Sequence, residues 1–445
     1  MKTRSTVLVA VLAIWCASTQ PSLLGQGRSE HWIGTWATAP VARASSPGAG
    51  RGSPAAQDGR GTQGQQGARG GQAQQTGRGG GPPLNFNNQT LRQIVHTSIG
   101  GRRVRVVFSN VYGTAPMTIG AARVALHDKS AAIVAKSDRP LVFSGNANVT
   151  IPPGAVAFSD PVDLTVPALG DLVVDMYLPG DTAASSSPLT THNGARQTNY
   201  VSQEGNHAGA VEMPVQTTTA AWFFLSRVEV TAPEAAGAIV MFGDSITDGF
   251  NSTPDTNGRW PDDFAKRLKG PNGTVSSGVL NLGIDGNRVL ADGAGVSALA
   301  RFDRDVLVQT GVTHVVVLEG INDLGMARNP RPSVADLMGG HLQLIERAHA
   351  RGLKIFGATL LPYEGTIFPE YYSAEGDAVR QKFNDWLRTS KAYDGLIDFD
   401  AVMRDPSHPT KILPQYDSGD HLHPNDAGYA VMANAVNLAL FKSGK

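Results

Sequence analysis

The chain has 445 residues, 41% of them hydrophobic and 17% charged, with Lys+Arg and Asp+Glu equal at 38 each. That length predicts two domains plus non-globular segments. The balanced charge argues against a nucleic-acid-binding surface and against an acidic solvating tail.

Lys2 and Arg4 precede an apolar run over 7–17, followed by small and polar residues through Gln26 and Gly27. This order predicts a secretory signal peptide over 1–27, and hence a secreted or periplasmic protein. The run is too short for a membrane span, and no later segment reaches ~18 consecutive apolar residues. Cys16 is the only cysteine. Lipidation there would be an alternative anchor, but Trp15 stands where lipidation sites want a small residue. Once the peptide is cleaved, no disulfide and no thiolate metal site is available.

Residues 28–232 are expected to form a β-sandwich, jelly-roll-like domain. Residues 31–40 open it with a strand carrying Trp32 and Trp36. Residues 45–83 follow as a Gly/Gln-rich insertion with Arg51, Arg60, Arg69 and Arg78 but no aromatic or large aliphatic side chain. Such a segment cannot offset its ordering entropy and is expected to be disordered. Runs rich in Val, Ile, Thr and aromatics over 91–98, 104–109, 117–126, 162–166, 172–178 and 222–231 alternate with turn signals such as Gly100-Gly101 and Pro152-Pro153-Gly154. Short strands at this spacing predict a sandwich.

Beyond Pro233 the pattern changes, and residues 235–445 read as a second domain. Apolar strands are expected at 238–242, 279–282, 314–318, 354–359 and 395–399, with helices at 262–268, 334–350, 378–388 and 425–441. That alternation predicts a parallel sheet covered on both faces, with chemistry at the carboxyl ends of its strands.

Four polar clusters stand at those positions. After the first strand comes Gly243-Asp244-Ser245-Ile246-Thr247-Asp248-Gly249, which presents a serine at a strand-to-helix turn. Its fifth residue is Thr247, so this is not the Gly-x-Ser-x-Gly elbow of α/β-hydrolases. A lone serine at such a turn is more often simply a helix N-cap. After the second strand comes Asn281-Leu282-Gly283-Ile284-Asp285-Gly286-Asn287, whose glycines free backbone donors. After the third comes Glu319-Gly320-Ile321-Asn322-Asp323, where an uncharged amide donor suits a developing oxyanion. Before the last helix stands Asp420-His421-Leu422-His423-Pro424. A carboxylate three residues before a histidine can orient the ring and leave one nitrogen as a base. A metal site is the alternative, but no third and fourth ligand is spaced for it.

In this order the four clusters resemble the blocks of the SGNH (GDSL-type) hydrolases over residues 237–440. The resemblance implies a flavodoxin-like, three-layer α/β/α domain and a serine esterase without metal or organic cofactor. It implies Ser245 as nucleophile, Asp420 and His423 completing the triad, and an oxyanion hole of Ser245, Gly286 and Asn322. Gly283 is an alternative to Gly286 in the loosest block. The start, His31-Trp32-Ile33-Gly34-Thr35-Trp36, resembles a bacterial arylesterase- or acylhydrolase-like subgroup with a β-rich domain before the hydrolase, some of whose members occur beside xylan-degrading enzymes.

The expected function is therefore hydrolysis of short-chain acyl or acetyl esters, small-molecule or carried on a polysaccharide. The rival readings are a lipase-like acylhydrolase on longer chains and a glycan-binding protein with a vestigial hydrolase domain. Asp244 is expected to fix the nucleophile turn and Trp260 to be core. The aromatics Tyr363, Phe368, Tyr371 and Tyr372 either contact substrate or pack on the sheet. Oligomeric state is left open.

Overall fold

The computed structural model describes residues 30–43, 85–185, 188–270, 276–326 and 330–442. The expected signal peptide and the expected disordered insertion lie outside these residues. No helix among them is long and apolar enough to cross a membrane.

The first part is built from antiparallel sheets. One runs in the order Trp32–Ala37, Leu225–Thr231, Gly101–Ser109, Val162–Val166. The larger, six-stranded one runs Val215–Thr219, Asn199–Glu204, Gln89–His96, Asp171–Leu178, Ala121–Leu126, Arg139–Leu141. Alternation along each strand decides which side chains meet. Leu172, Val174, Met176 and Leu178 share one core with Val104, Val106 and Phe108 of the facing sheet, while Val173 joins Ile94 and Ala125 on the other face. Two expected strands are broken. The run 117–126 divides at Gly120 into Met117–Ile119 and Ala121–Leu126. A side chain at Gly120 would press on the Tyr177 ring. The run 222–231 divides at Phe224, whose φ of 53° no strand accommodates.

The second part holds a five-stranded parallel sheet: β1 (Gly237–Gly243), β2 (Ser277–Gly283), β3 (Val312–Leu318), β4 (Lys354–Ala358) and β5 (Gly395–Ile397). Their spatial order is 2-1-3-4-5, the flavodoxin-like arrangement. Every residue of β1 is buried, as a central strand covered on both faces requires. The helices are α1 (Ser245–Asp248), α2 (Trp260–Lys269), α3 (Ala298–Phe302), α4 (Ile321–Gly325), α5 (Val334–His349), α6 (Ala374–Thr389), α7 (Phe399–Met403) and α8 (Asp426–Ala435). Packing of α2 and α7 on α8, and of α3 and α6 on α5, gives the two outer layers. Trp260 is fully buried at the start of α2. The expected helix 425–441 stops at Ala435, because Val436 and Asn437 turn extended and Asn437 caps a separate turn, Leu438–Phe441. Arg267 bonds the carbonyls of Ala433 and Val436, satisfying that helix end. The expected strand 395–399 likewise ends at Ile397, since Asp398 caps α7.

The two parts pack tightly. Gly34 N–H donates to Thr310 O at 2.9 Å, and Val279 N–H to Ser98 Oγ at 2.8 Å. A Cβ at Gly278 would lie 2.0 Å from Gly34 O, so only glycine allows this approach.

Candidate active site

The turn after β1 is shaped by what surrounds it. A side chain on Gly243 would come within 2.3 Å of Thr247 Oγ1, so the strand must end in glycine. Asp244, not Ser245, is the N-cap of α1, its Oδ1 accepting from Ile246 N–H at 3.0 Å. The serine hydroxyl is thereby spared from capping. It lies 2.8 Å from His423 Nε2 across 178 residues of sequence.

His423 Nδ1 lies 2.7 Å from Asp420 Oδ2. Burial alone would raise the Asp420 pKa. The His423 ring and the N–H groups of His423 and Leu422 outweigh it and bring it down to about 2. The carboxylate is thus ionised and can only accept, so Nδ1 carries the proton and Nε2 is left to accept from Ser245. Asn251, which the sequence did not mark, donates to the same Asp420 oxygen at 2.9 Å. His421, the other histidine of that cluster, is exposed and faces Asp417 instead.

Gly286 and Asn322 come from the ends of β2 and β3, on either side of β1. Gly286 has φ 76° in a turn closed by Asn287 N–H to Ile284 O at 3.0 Å, the third turn position that calls for glycine. The alternative, Gly283, spends its N–H on Asn281 Oδ1 at 3.0 Å, and a Cβ there would strike Asp248 N. Asn322 Nδ2 donates to Asn287 O at 2.9 Å, and Tyr371 Oη donates to Asn322 Oδ1 at 2.7 Å. These two bonds fix the amide's orientation and leave one N–H of Nδ2 unspent. Burial first, then nearby carboxylates, holds the Tyr371 phenol far above its usual pKa, so it remains a donor. Asp323 ties the second and third clusters together by accepting from Val289 and Leu290 N–H at 2.7 and 3.0 Å. Next to Gly286 opens a cleft of about 400 Å³ bordered by Arg288, Asp292 and Met326.

Tyr363 and Tyr371 are buried, whereas half-buried Phe368 stands edge-on to His423 at 6.1 Å between ring centres. Phe250 packs on the same imidazole at 4.4 Å.

Behind the turn, fully buried Arg301 donates to Gly243 O, Leu282 O and Asn287 Oδ1 at 2.7–2.9 Å. The sequence hint was a cation among Ala298 and Phe302 on a helix's apolar face. Asp244 Oδ2 and both Glu319 carboxylate oxygens lie buried without hydrogen bonds. Burial first, then repulsion from Asp285 and Asp323 at Asp244 and from Asp244 and Asp323 at Glu319, pushes both acids up, so they hold protons more readily than ordinary carboxyls.

The β-rich part also reaches this region. Buried His192 places Nε2 3.0 Å from Asp248 Oδ1 and Nδ1 2.9 Å from Ala39 O. Burial lowers its pKa, but the Asp248 charge and hydrogen bond and the Ala39 carbonyl outweigh this and raise it. Arg259 donates to Ala195 O, and Asp255 accepts from Gln197 and Thr198.

Residues 241–431 match the GDSL-like Lipase/Acylhydrolase family. No curated protein gives a significant match. Solved structures similar to part of the chain include the native M. smegmatis aryl esterase (16% identity, 45% of this chain and 95% of that one, TM-score 0.36). A carbohydrate acetylesterase family member from Sinorhizobium meliloti has 17% identity over 45% and 94%, with TM-score 0.37. A GDSL-like lipase from Bacteroides thetaiotaomicron has 20% identity over 46% and 87%, with TM-score 0.35. Residues 241–431 thus carry a GDSL-like lipase/acylhydrolase domain.

Proposed function

We propose that the protein is an exported serine esterase that removes short acyl groups, acetyl above all, from small or carbohydrate-linked alcohols. The observation that carries this reading is the unbroken relay from Ser245 through His423 to Asp420, at 2.8 and 2.7 Å. His423 Nε2 takes the Ser245 proton as Oγ attacks the ester carbonyl, and Asp420 stabilises the imidazolium that forms. The negative charge on the tetrahedral oxygen is received by the N–H groups of Ser245 and Gly286 and by the free N–H of Asn322. His423 then protonates the departing alcohol. Water, deprotonated by the same ring, releases the acid from the acyl-serine.

Export rests on the sequence of residues 1–27, and the two-domain reading, 28–232 and 235–445, on the change of pattern between β-rich and α/β parts. The test compares the full chain with Ser245→Ala on aryl esters of increasing acyl length and on acetylated xylan and pectin. The expected result is highest kcat/KM for acetyl esters and a loss of roughly 10⁴-fold or more in the variant. Rates that rise with acyl length would instead favour the lipase-like reading. Equal inactivity of both proteins alongside glycan binding would sink the enzyme reading.

A further inference from the structure

Two side chains near Phe250 and His423 take no part in the steps above and form no side-chain hydrogen bond or ion pair with the described residues. Arg196 comes from the β-rich part, in the turn between Leu189–Asn193 and Asn199–Glu204. Its backbone has φ 50° and is pinned from outside, Asp255 N–H donating to Arg196 O at 3.0 Å. The guanidinium carbon stands 4.6 Å above the centre of the Phe250 ring, and Phe250 packs on His423. Its buried Nε has no hydrogen-bond partner, and no carboxylate of the described residues forms an ion pair with it. The positive φ and the outside anchor hold this cation on the Phe250 face with its buried Nε unsatisfied, an arrangement that a ligand's acceptor would complete.

The second is Asp285, the residue before Gly286. Its carboxyl forms no hydrogen bond with the described residues, and it feels the charges of His423, Asp248, Arg196 and His192. Burial pushes it up to about 6. An acceptor and a fork of donors thus lie near the imidazole that protonates the leaving alcohol, too far apart to satisfy each other. A purely anionic ligand would meet Asp285, and a purely cationic one would meet Arg196. A neutral ligand with adjacent hydroxyls supplies an oxygen to the guanidinium and a proton to the carboxylate. Phe368 offers an apolar wall for its carbon face.

We propose that Arg196 and Asp285 together form the subsite for the alcohol half of the ester, and that this alcohol is polyhydroxylated, as in a glycoside. The β-rich part is then a component of the substrate site rather than a separate module. This rests on the esterase reading, whose leaving alcohol departs past His423.

The test uses the full chain with Arg196→Met and Asp285→Asn, and a matched pair of acetates. One is phenyl acetate, and the other is a monoacetylated methyl β-xyloside with free neighbouring hydroxyls. In each variant the ratio of kcat/KM for the xyloside acetate to that for phenyl acetate should fall at least tenfold. The double variant should lose less than the product of the two. A second arm measures binding of unacetylated methyl β-xyloside to Ser245→Ala protein by saturation-transfer NMR, and adding Arg196→Met should abolish the signal. Unchanged ratios, or a ratio that moves in only one variant, overturn the shared subsite. Turnover absent on every ester, with xyloside binding still dependent on Arg196, would sink the esterase reading while upholding the subsite.

Discussion

Arg92 in the six-stranded sheet and Arg301 in α3 are both fully buried, yet their surroundings differ in kind. Arg92 holds its cross-strand partner Asp175 through two bonds of 2.8 and 2.7 Å, and spends its remaining donors on Ala131 O and Ala210 O. Asp175 also accepts from Gly209 N–H at 2.8 Å, so charge and hydrogen bonds close on themselves. Arg301 bonds Asp305 at 3.2 Å but otherwise reaches carbonyls and Asn287, with Glu319 unbonded at 3.6 Å. In the β-rich part a buried charge is neutralised to hold strands together. In the α/β part surplus acid is tolerated under the nucleophile turn, because the arginine there places backbone atoms of the site. Buried polar groups therefore separate scaffold from site more sharply than burial itself does.

Outside the triad, the largest expected effect tests that contrast directly. Arg301→Lys keeps the charge but cannot reach Gly243 O, Leu282 O and Asn287 Oδ1 together. Gly286 and Asn322 both lean on Asn287, so on the proposed mechanism two oxyanion donors shift at once, and kcat per folded molecule should fall by roughly 10²-fold. Arg92→Lys should lower the denaturation midpoint while kcat per folded molecule stays at the wild-type value. Wild-type kcat in Arg301→Lys, measured alongside a folded-fraction assay, would erase the distinction.

The same contrast shows what could be read in the sequence. The parallel strands were legible because burial on both faces leaves continuous apolar runs, such as Ala238 to Phe242. Ser245, Asp420 and His423 are brought into hydrogen-bond contact because the first follows a strand and the other two precede the last helix, positions the pattern located. The three-residue strands Arg139–Leu141, Val149–Ile151 and Val156–Phe158 are too short for any periodicity to register. Val215–Thr219 carries Thr and Gln on exposed positions and reads as a loop. Nothing local marks Asn251 or Arg196 either, and nothing local ties Tyr371 to Asn322. Their partners lie 169 residues away for Asn251 and 49 for Tyr371, and Arg196 reaches Phe250 from another sheet.

Tyr371→Phe removes one oxygen from the site and almost no volume. Asn322 then loses one of the two bonds that fix its amide. The expected loss is about tenfold in kcat with KM unchanged, since the bond matters only when charge develops on the oxyanion. A rise in KM at constant kcat would instead return Tyr371 to the substrate-contact role left open by its sequence position.

The last expected effect concerns Asp285, and its sign follows from linkage. Its pKa is about 6 when folded, against ~3.9 for an unfolded aspartate, so the folded state holds the proton more tightly. Stability from this group is complete below pH ~4 and declines as pH rises toward 6, after which the ionised carboxylate is a constant cost. Asp285→Asn removes the charge but not the shape. Its stability should match the wild type near pH 4, pull ahead between pH 4 and 6, and stay ahead at pH 8 by on the order of 3 kcal/mol. Urea denaturation at pH 4 and pH 8 measures this. A variant more stable than the wild type yet poorer on hydroxylated esters would put Asp285 with Glu319, as acid retained for the site at the fold's expense. A variant less stable at pH 8 would put it with Asp175, as a carboxylate the scaffold needs.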